Sequence, residues 1–145
     1  MQVYMLQAAL ICDHCAGEFM ANTPKPDHVV YFPNLNEYDE STYDSDEWPK
    51  GPYPDGGGES DSPQHCDHCG EFLDNPLTPD GEECVRDAFR QYVLENRGSL
   101  FETLKIWKES YSWVFDDYES IDYPALVSGG LGISQKQRAA ALAAL

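Results

Sequence analysis

The chain has 145 residues, with 26 acidic against 9 basic side chains, a formal net charge of −17 and five cysteines. That length suits one domain, which buries roughly 68–70% of the surface its unfolded chain exposes. The charge opposes direct binding of nucleic acid or anionic membrane over most of the surface, and no apolar run approaches the roughly 18 residues of a membrane span.

Residues 3–11 are mostly apolar and read as a buried strand, with a short helix left open by the pattern. They lead into Cys12-Asp13-His14-Cys15, a phrase repeated at Cys66-Asp67-His68-Cys69. Each copy places two thiols three positions apart, so that a tight turn can aim both sulfurs at one point. Together Cys12, Cys15, Cys66 and Cys69 supply the soft donors of a tetrahedral Zn²⁺ site, and we read them as halves of one structural zinc centre. Four thiolates suit iron as well. The odd cysteine count goes with a first stretch, residues 1–11, that has neither a basic leading region nor a small-residue cleavage pattern. The expectation is a reducing, cytoplasmic setting, where paired cysteines more often bind metal than form bridges.

After the first pair, Gly17 and residues 22–26 read as turns, and residues 28–32 as a second strand ended by Pro33, making a zinc-bearing hairpin. Residues 34–64 then change character. Glu37, Asp39, Glu40, Asp44, Asp46, Glu47, Asp55, Glu59 and Asp61 face a single Lys50, and prolines and the Gly56-Gly57-Gly58 run forbid long regular elements. Such composition suits a solvated linker. Tyr38, Tyr43, Trp48 and Tyr53 point instead to an acidic-aromatic surface that packs on a partner. A Ca²⁺ loop at Asp44-Ser45-Asp46-Glu47 is excluded, because Trp48, Pro49 and Asp55 stand where an oxygen ligand, Gly and Glu are needed.

Beyond the second pair, Asp80 with Glu83 forms a capping-box pattern for a helix whose Val85, Ala88, Phe89, Tyr92 and Val93 share a face, with Gly98 to end it. Ser99 with Glu102 opens another, striped by Leu100, Leu104, Trp107, Tyr111 and Val114. Asp116, Asp117 and Glu119, mixed with Phe115 and Tyr118, give a second acidic-aromatic patch. Ser134 with Gln137 caps a last alanine-rich helix, expected to fray or to dock on a neighbour. The fold expected is α+β in one domain, residues 1–145. A zinc-bound β-hairpin region (1–33 and 64–78) is joined to an acidic insert (34–63) and a helical region (79–145).

Cys84 is the odd thiol, read as a buried small hydrophobe, with metal ligation as the sharper alternative. His65, beside Cys66, is the substitute ligand to consider, whereas His14 and His68 should face solvent. The Cys-x-His-Cys phrase also resembles that of thioredoxin-like oxidoreductases, which place it once, at a strand-to-helix junction in an alternating β/α pattern. No phosphate loop, nucleophile elbow or His-Glu-x-x-His is present.

The stretch 65–85, and more loosely 12–19, resembles the metal knuckles of zinc-ribbon and treble-clef proteins. The wording Gly-Glu-Phe-Leu-Asp-Asn-Pro-Leu-Thr after the second pair is similar to that in small proteins of bacteriophages and other mobile elements. This resemblance implies a metal site and a bacterial or phage setting, and no activity. The function expected is non-enzymatic: an acidic protein that binds a basic protein surface, one version being nucleic-acid mimicry against a host defence complex. The rival is a zinc-ribbon nucleic-acid or transcription accessory factor using Arg86, Arg90, Arg97, Lys105 and Lys108.

Overall fold

The computed structural model describes residues 1–29, 43–95, 98–120 and 135–145. They form an α+β molecule with a three-stranded antiparallel sheet, a cysteine cluster and a helical carboxy-terminal half. Two compact units are present, Met1–Leu77 and Thr78–Leu145.

In the first unit the apolar run at the amino terminus is a hairpin. Strands β1 (Val3–Leu6) and β2 (Ala9–Cys12) pair in register, Val3 opposite Cys12 and Leu6 opposite Ala9. Gln7 and Ala8 turn the chain with φ of 52° and 61°, the positive angles of a two-residue hairpin turn. No Gly, Asn or Asp marks that turn, which is why the sequence reads as one strand. Helix α1 (Asp13–Asn22) follows directly, with Gly17 inside it, and the hairpin expected around residues 28–32 is not the one found. His28 lies in a turn, Val29 is in no regular element, and residues 30–32 lie outside the described residues. Cys15, Ala16, Phe19 and Met20 recur at helical spacing on one face, with Cys15 and Ala16 buried.

The third strand, β3 (Lys50–Tyr53), comes from the acidic segment and completes the order β2-β1-β3. Its Pro52 blunts the exposed edge. The described part of that segment is therefore no linker. Trp48 is 4% exposed, packs edge-on against Phe19 at 6.1 Å, and so does not present its ring on a surface as expected. Asp44, Asp46 and Glu47 are exposed, with Glu47 accepting from His28 at 2.6 Å. Asn75, almost fully buried, ties the next stretch together by accepting from Gln64 N at 2.7 Å and donating to Ser62 O and Pro76 O. Against this stretch lies Gly56, whose N–H donates to Met1 O at 2.9 Å. Among the described residues, Val3, Ile11, Cys12, Cys15, Ala16, Cys66 and Leu73 pack as one buried cluster, so three cysteines sit within it.

The second unit is helical. Helix α2 (Pro79–Glu95) is capped by Thr78, whose Oγ1 accepts from Gly81 N at 3.1 Å, with Pro79 at the first helical position; the expected Asp80 cap is displaced by two residues. A short 3₁₀ turn (Gly98–Leu100) leads into α3 (Phe101–Ser110), which starts at Leu100 without a side-chain cap, so no Ser99 box forms. Tyr111 breaks the single expected helix, and α4 (Ser112–Ser120) continues the chain. The stripe Leu104, Trp107, Tyr111 and Val114 is nonetheless buried with Val85, Phe89 and Phe115. Helix α5 (Gln135–Ala144) packs on α2 and α4, and its Leu142 is buried. No described helix is long and apolar enough to cross a membrane.

Gly56 has φ of 62°, and a Cβ there would meet Leu73 O at 2.3 Å and Asn75 N at 2.8 Å. Gly56→Ala is therefore expected to cost about 2–4 kcal/mol, measured by denaturant unfolding of the first unit. A loss below about 0.5 kcal/mol would contradict this packing.

Candidate metal centre

The sulfurs converge because each pair is held by a different local structure. Cys12 ends β2 and is the N-cap of α1, its Sγ accepting from Cys15 N at 3.5 Å, so Cys15 falls in the helix's first turn on the same side. Cys66 and Cys69 belong to a tight turn within a small hairpin. Gly70 N donates to Cys66 O at 2.7 Å, Cys66 N to Glu71 O at 2.7 Å, and His65 faces Phe72 across an antiparallel bridge. Gly70 takes the positive φ of 78° that closes the turn.

This turn docks on the open edge of β2. Asp67 N donates to Leu10 O at 3.0 Å, and Cys12 N donates to Cys66 Sγ at 3.3 Å. Backbone groups that an edge strand would leave unpaired thus hold the two cysteine pairs together. All four Sγ atoms lie within 4.8 Å of one another, and Cys12 Sγ is 3.8 Å from Cys69 Sγ. Tetrahedral coordination at about 2.3 Å per bond separates sulfurs by about 3.8 Å, whereas a disulfide needs about 2.05 Å. The donor set and its spacing fit one thiolate-bound metal ion, with Cys12, Cys15 and Cys66 buried and Cys69 exposed.

Burial pushes the Cys12 thiol up to about 11, only partly opposed by the Cys15 N–H, and raises Cys15 too, helped by its sulfur neighbours. Burial also acts upward on Cys66, but N–H groups of Cys12, Cys69 and His68 outweigh it and hold that thiol down at about 6. Dithiol redox chemistry uses a lowered thiol at such a strand-to-helix position, whereas burial raises both thiols of the first pair.

Other sequence candidates lie elsewhere. His65 is committed through Nδ1 to Gly70 O at 3.0 Å and packs on Phe72, while His14 and His68 are exposed as expected. Cys84 is exposed on α2, not buried, and takes no part in the cluster. Asp116 is exposed; Glu37, Asp39 and Glu40, and the side chains of Asp117 and Glu119, lie outside the described residues. Compared with protein-family models, curated proteins and solved structures, the chain matches none.

Structural zinc contributes roughly 10–16 kcal/mol of apparent binding free energy, more than the net stability of most domains. Chelation is expected to abolish amide-exchange protection in residues 1–77 while α2 to α5 keep theirs; protection unchanged in both would contradict a structural ion. At neutral pH the metal displaces protons from Cys12 and Cys15, and below about 6 from Cys66 as well. Apparent affinity should therefore rise with pH, more steeply below about 6, in competition titrations against a chromophoric chelator.

Proposed function

We propose that the chain is a non-enzymatic, zinc-stabilised acidic protein that binds a basic protein surface. Its four-thiolate site serves the fold, since closed sites of this kind leave no open position for substrate. What carries the reading is where the cations go. Arg86 pairs with Glu82 at 2.9 Å and Glu83 at 3.4 Å, and Arg90 with Glu83 at 2.9 Å and with Asp87. Both guanidinium side chains are mostly covered, at 13% and 21% exposure. Lys108 Nζ donates to Leu142 O at 2.6 Å, completing the last turn of α5.

Of the cations that a nucleic-acid-binding rival would use, Arg86 and Arg90 are thus paired with the chain's own carboxylates, and Lys108 is held by a carbonyl while keeping its charge. Lys105 is exposed, and Arg97 lies outside the described residues. The formal charge of −17 then dominates the long-range field, with Asp44, Asp46, Glu47, Asp87 and Asp116 exposed. A partner attracted by that field carries a basic face, such as one built for nucleic acid. Occupying it would inhibit a host nucleic-acid-binding complex, a role that suits a phage or mobile-element protein acting in the bacterial cytoplasm.

Capture from a bacterial lysate on the immobilised, metal-loaded chain should retain a basic protein. Duplex DNA should displace it, and affinity should fall about tenfold or more between about 0.05 M and about 0.3 M salt. Retention indifferent to salt and duplex would contradict charge mimicry, and a gel shift of duplex by the chain alone would favour the rival.

A further inference from the structure

The four sulfurs are unequal in one respect that coordination alone does not require. Cys12, Cys15 and Cys66 are 0%, 4% and 2% exposed, whereas Cys69 is open to solvent. Beside it, a Cβ added to Gly70 would meet nothing within 4 Å, so the outer side of the turn is clear. Cys69 Sγ is 3.8 Å from Cys12 Sγ, which is fixed as the N-cap of α1. An exposed cysteine on a turn therefore abuts a buried one at the start of a helix.

We infer that the centre is a peroxide-responsive metal switch, in which Cys69 is the point of attack and Cys12 the resolving thiol. The inference rests on the reading of these residues as a metal site. Metal coordination keeps Cys69 deprotonated, and the thiolate is the nucleophile. Its sulfur attacks one oxygen of hydrogen peroxide: an S–O bond forms, the O–O bond breaks, and the departing hydroxide takes a proton to become water. Cys12 thiolate then attacks the sulfenic sulfur: an S–S bond forms, the S–O bond breaks, and a second hydroxide is protonated to water. Two thiolates lose one electron pair to one peroxide, which consumes two protons and becomes two waters.

Closing the bond shortens the separation from 3.8 Å to about 2.05 Å. Only Cys15 and Cys66 remain as thiolates, too few for the tetrahedron, and the ion leaves. Because Cys12 and Cys66 are part of the core of the first unit, release loosens that unit. A dithiol reductant reverses the change by exchange, ending as its own disulfide while both thiols return. Cys84 is the one other cysteine in the chain, and partial desolvation together with the Asp87 carboxylate raises its thiol, which disfavours it as the target.

The test treats the zinc-loaded full chain with hydrogen peroxide in the presence of a chromophoric zinc indicator, followed by peptide mapping. The expected result is release of about one ion per chain, a Cys12–Cys69 disulfide, and re-uptake of zinc after dithiothreitol. C84S should respond as the natural chain does. A disulfide confined to either Cys-x-x-Cys pair, irreversible oxidation of Cys69, or loss of the response in C84S would overturn the assignment. Zinc that is bound but kept through peroxide treatment overturns this inference alone. A chain that takes up no zinc before oxidation overturns the metal reading with it.

Discussion

Four sulfurs have to meet at one point, and most of the first unit is arranged by that requirement. Cys12 and Cys15 gain their common direction by straddling the start of α1. Cys66 and Cys69 gain theirs from a turn closed by the Gly70 N–H and fastened to β2 through Asp67 N and Cys66 Sγ. The described residues before the second pair, 43–65, are packed in place. Trp48 fills space beside Phe19, β3 flanks β1, and Asn75 satisfies Gln64 N and Ser62 O. The apolar core that these elements share is small, with cysteines as members, which explains why an ion would carry much of the stability.

An anionic centre in an acidic protein needs local compensation. Four thiolates around a divalent cation carry a net negative charge, and Glu71 beside Cys12 adds to the field. Backbone N–H groups supply the offset: those of Cys12, His68 and Cys69 act on Cys66, and that of Cys15 acts on Cys12 at the positive end of α1. In the second unit the same excess of carboxylate is handled differently, by a ladder of Glu82, Glu83 and Asp87 around Arg86 and Arg90 along α2. Among the described residues Lys25, Lys105 and Lys136 are exposed, and the formal charge of −17 leaves acids in large excess.

The cysteine cluster and the α+β class were legible because thiol spacing and helical periodicity are local signals. The buried faces of α2 and α3 could be read for the same reason. What escaped depended on tertiary packing. The Gln7-Ala8 turn carries none of the residues that usually mark positive φ, and only the pairing of β1 with β2 forces it. Helix α1 was concealed by Gly17 and by treating the cysteine pair as a knuckle, although the spacing of Cys15, Ala16, Phe19 and Met20 held the clue. Trp48 lay in an acidic, proline-rich stretch, where composition says surface and burial against Phe19 says core. The Thr78-Pro79 start of α2 was available in the sequence, but the Asp80-Glu83 pattern competed with it.

An ion held within the sulfur cluster can be observed directly through its coordination. Elemental analysis of the chain purified without added metal, with X-ray absorption at the metal edge, should give about one zinc per chain surrounded by four sulfurs at about 2.3 Å. A folded chain without metal, or an ion bound mainly through nitrogen and oxygen, would contradict it.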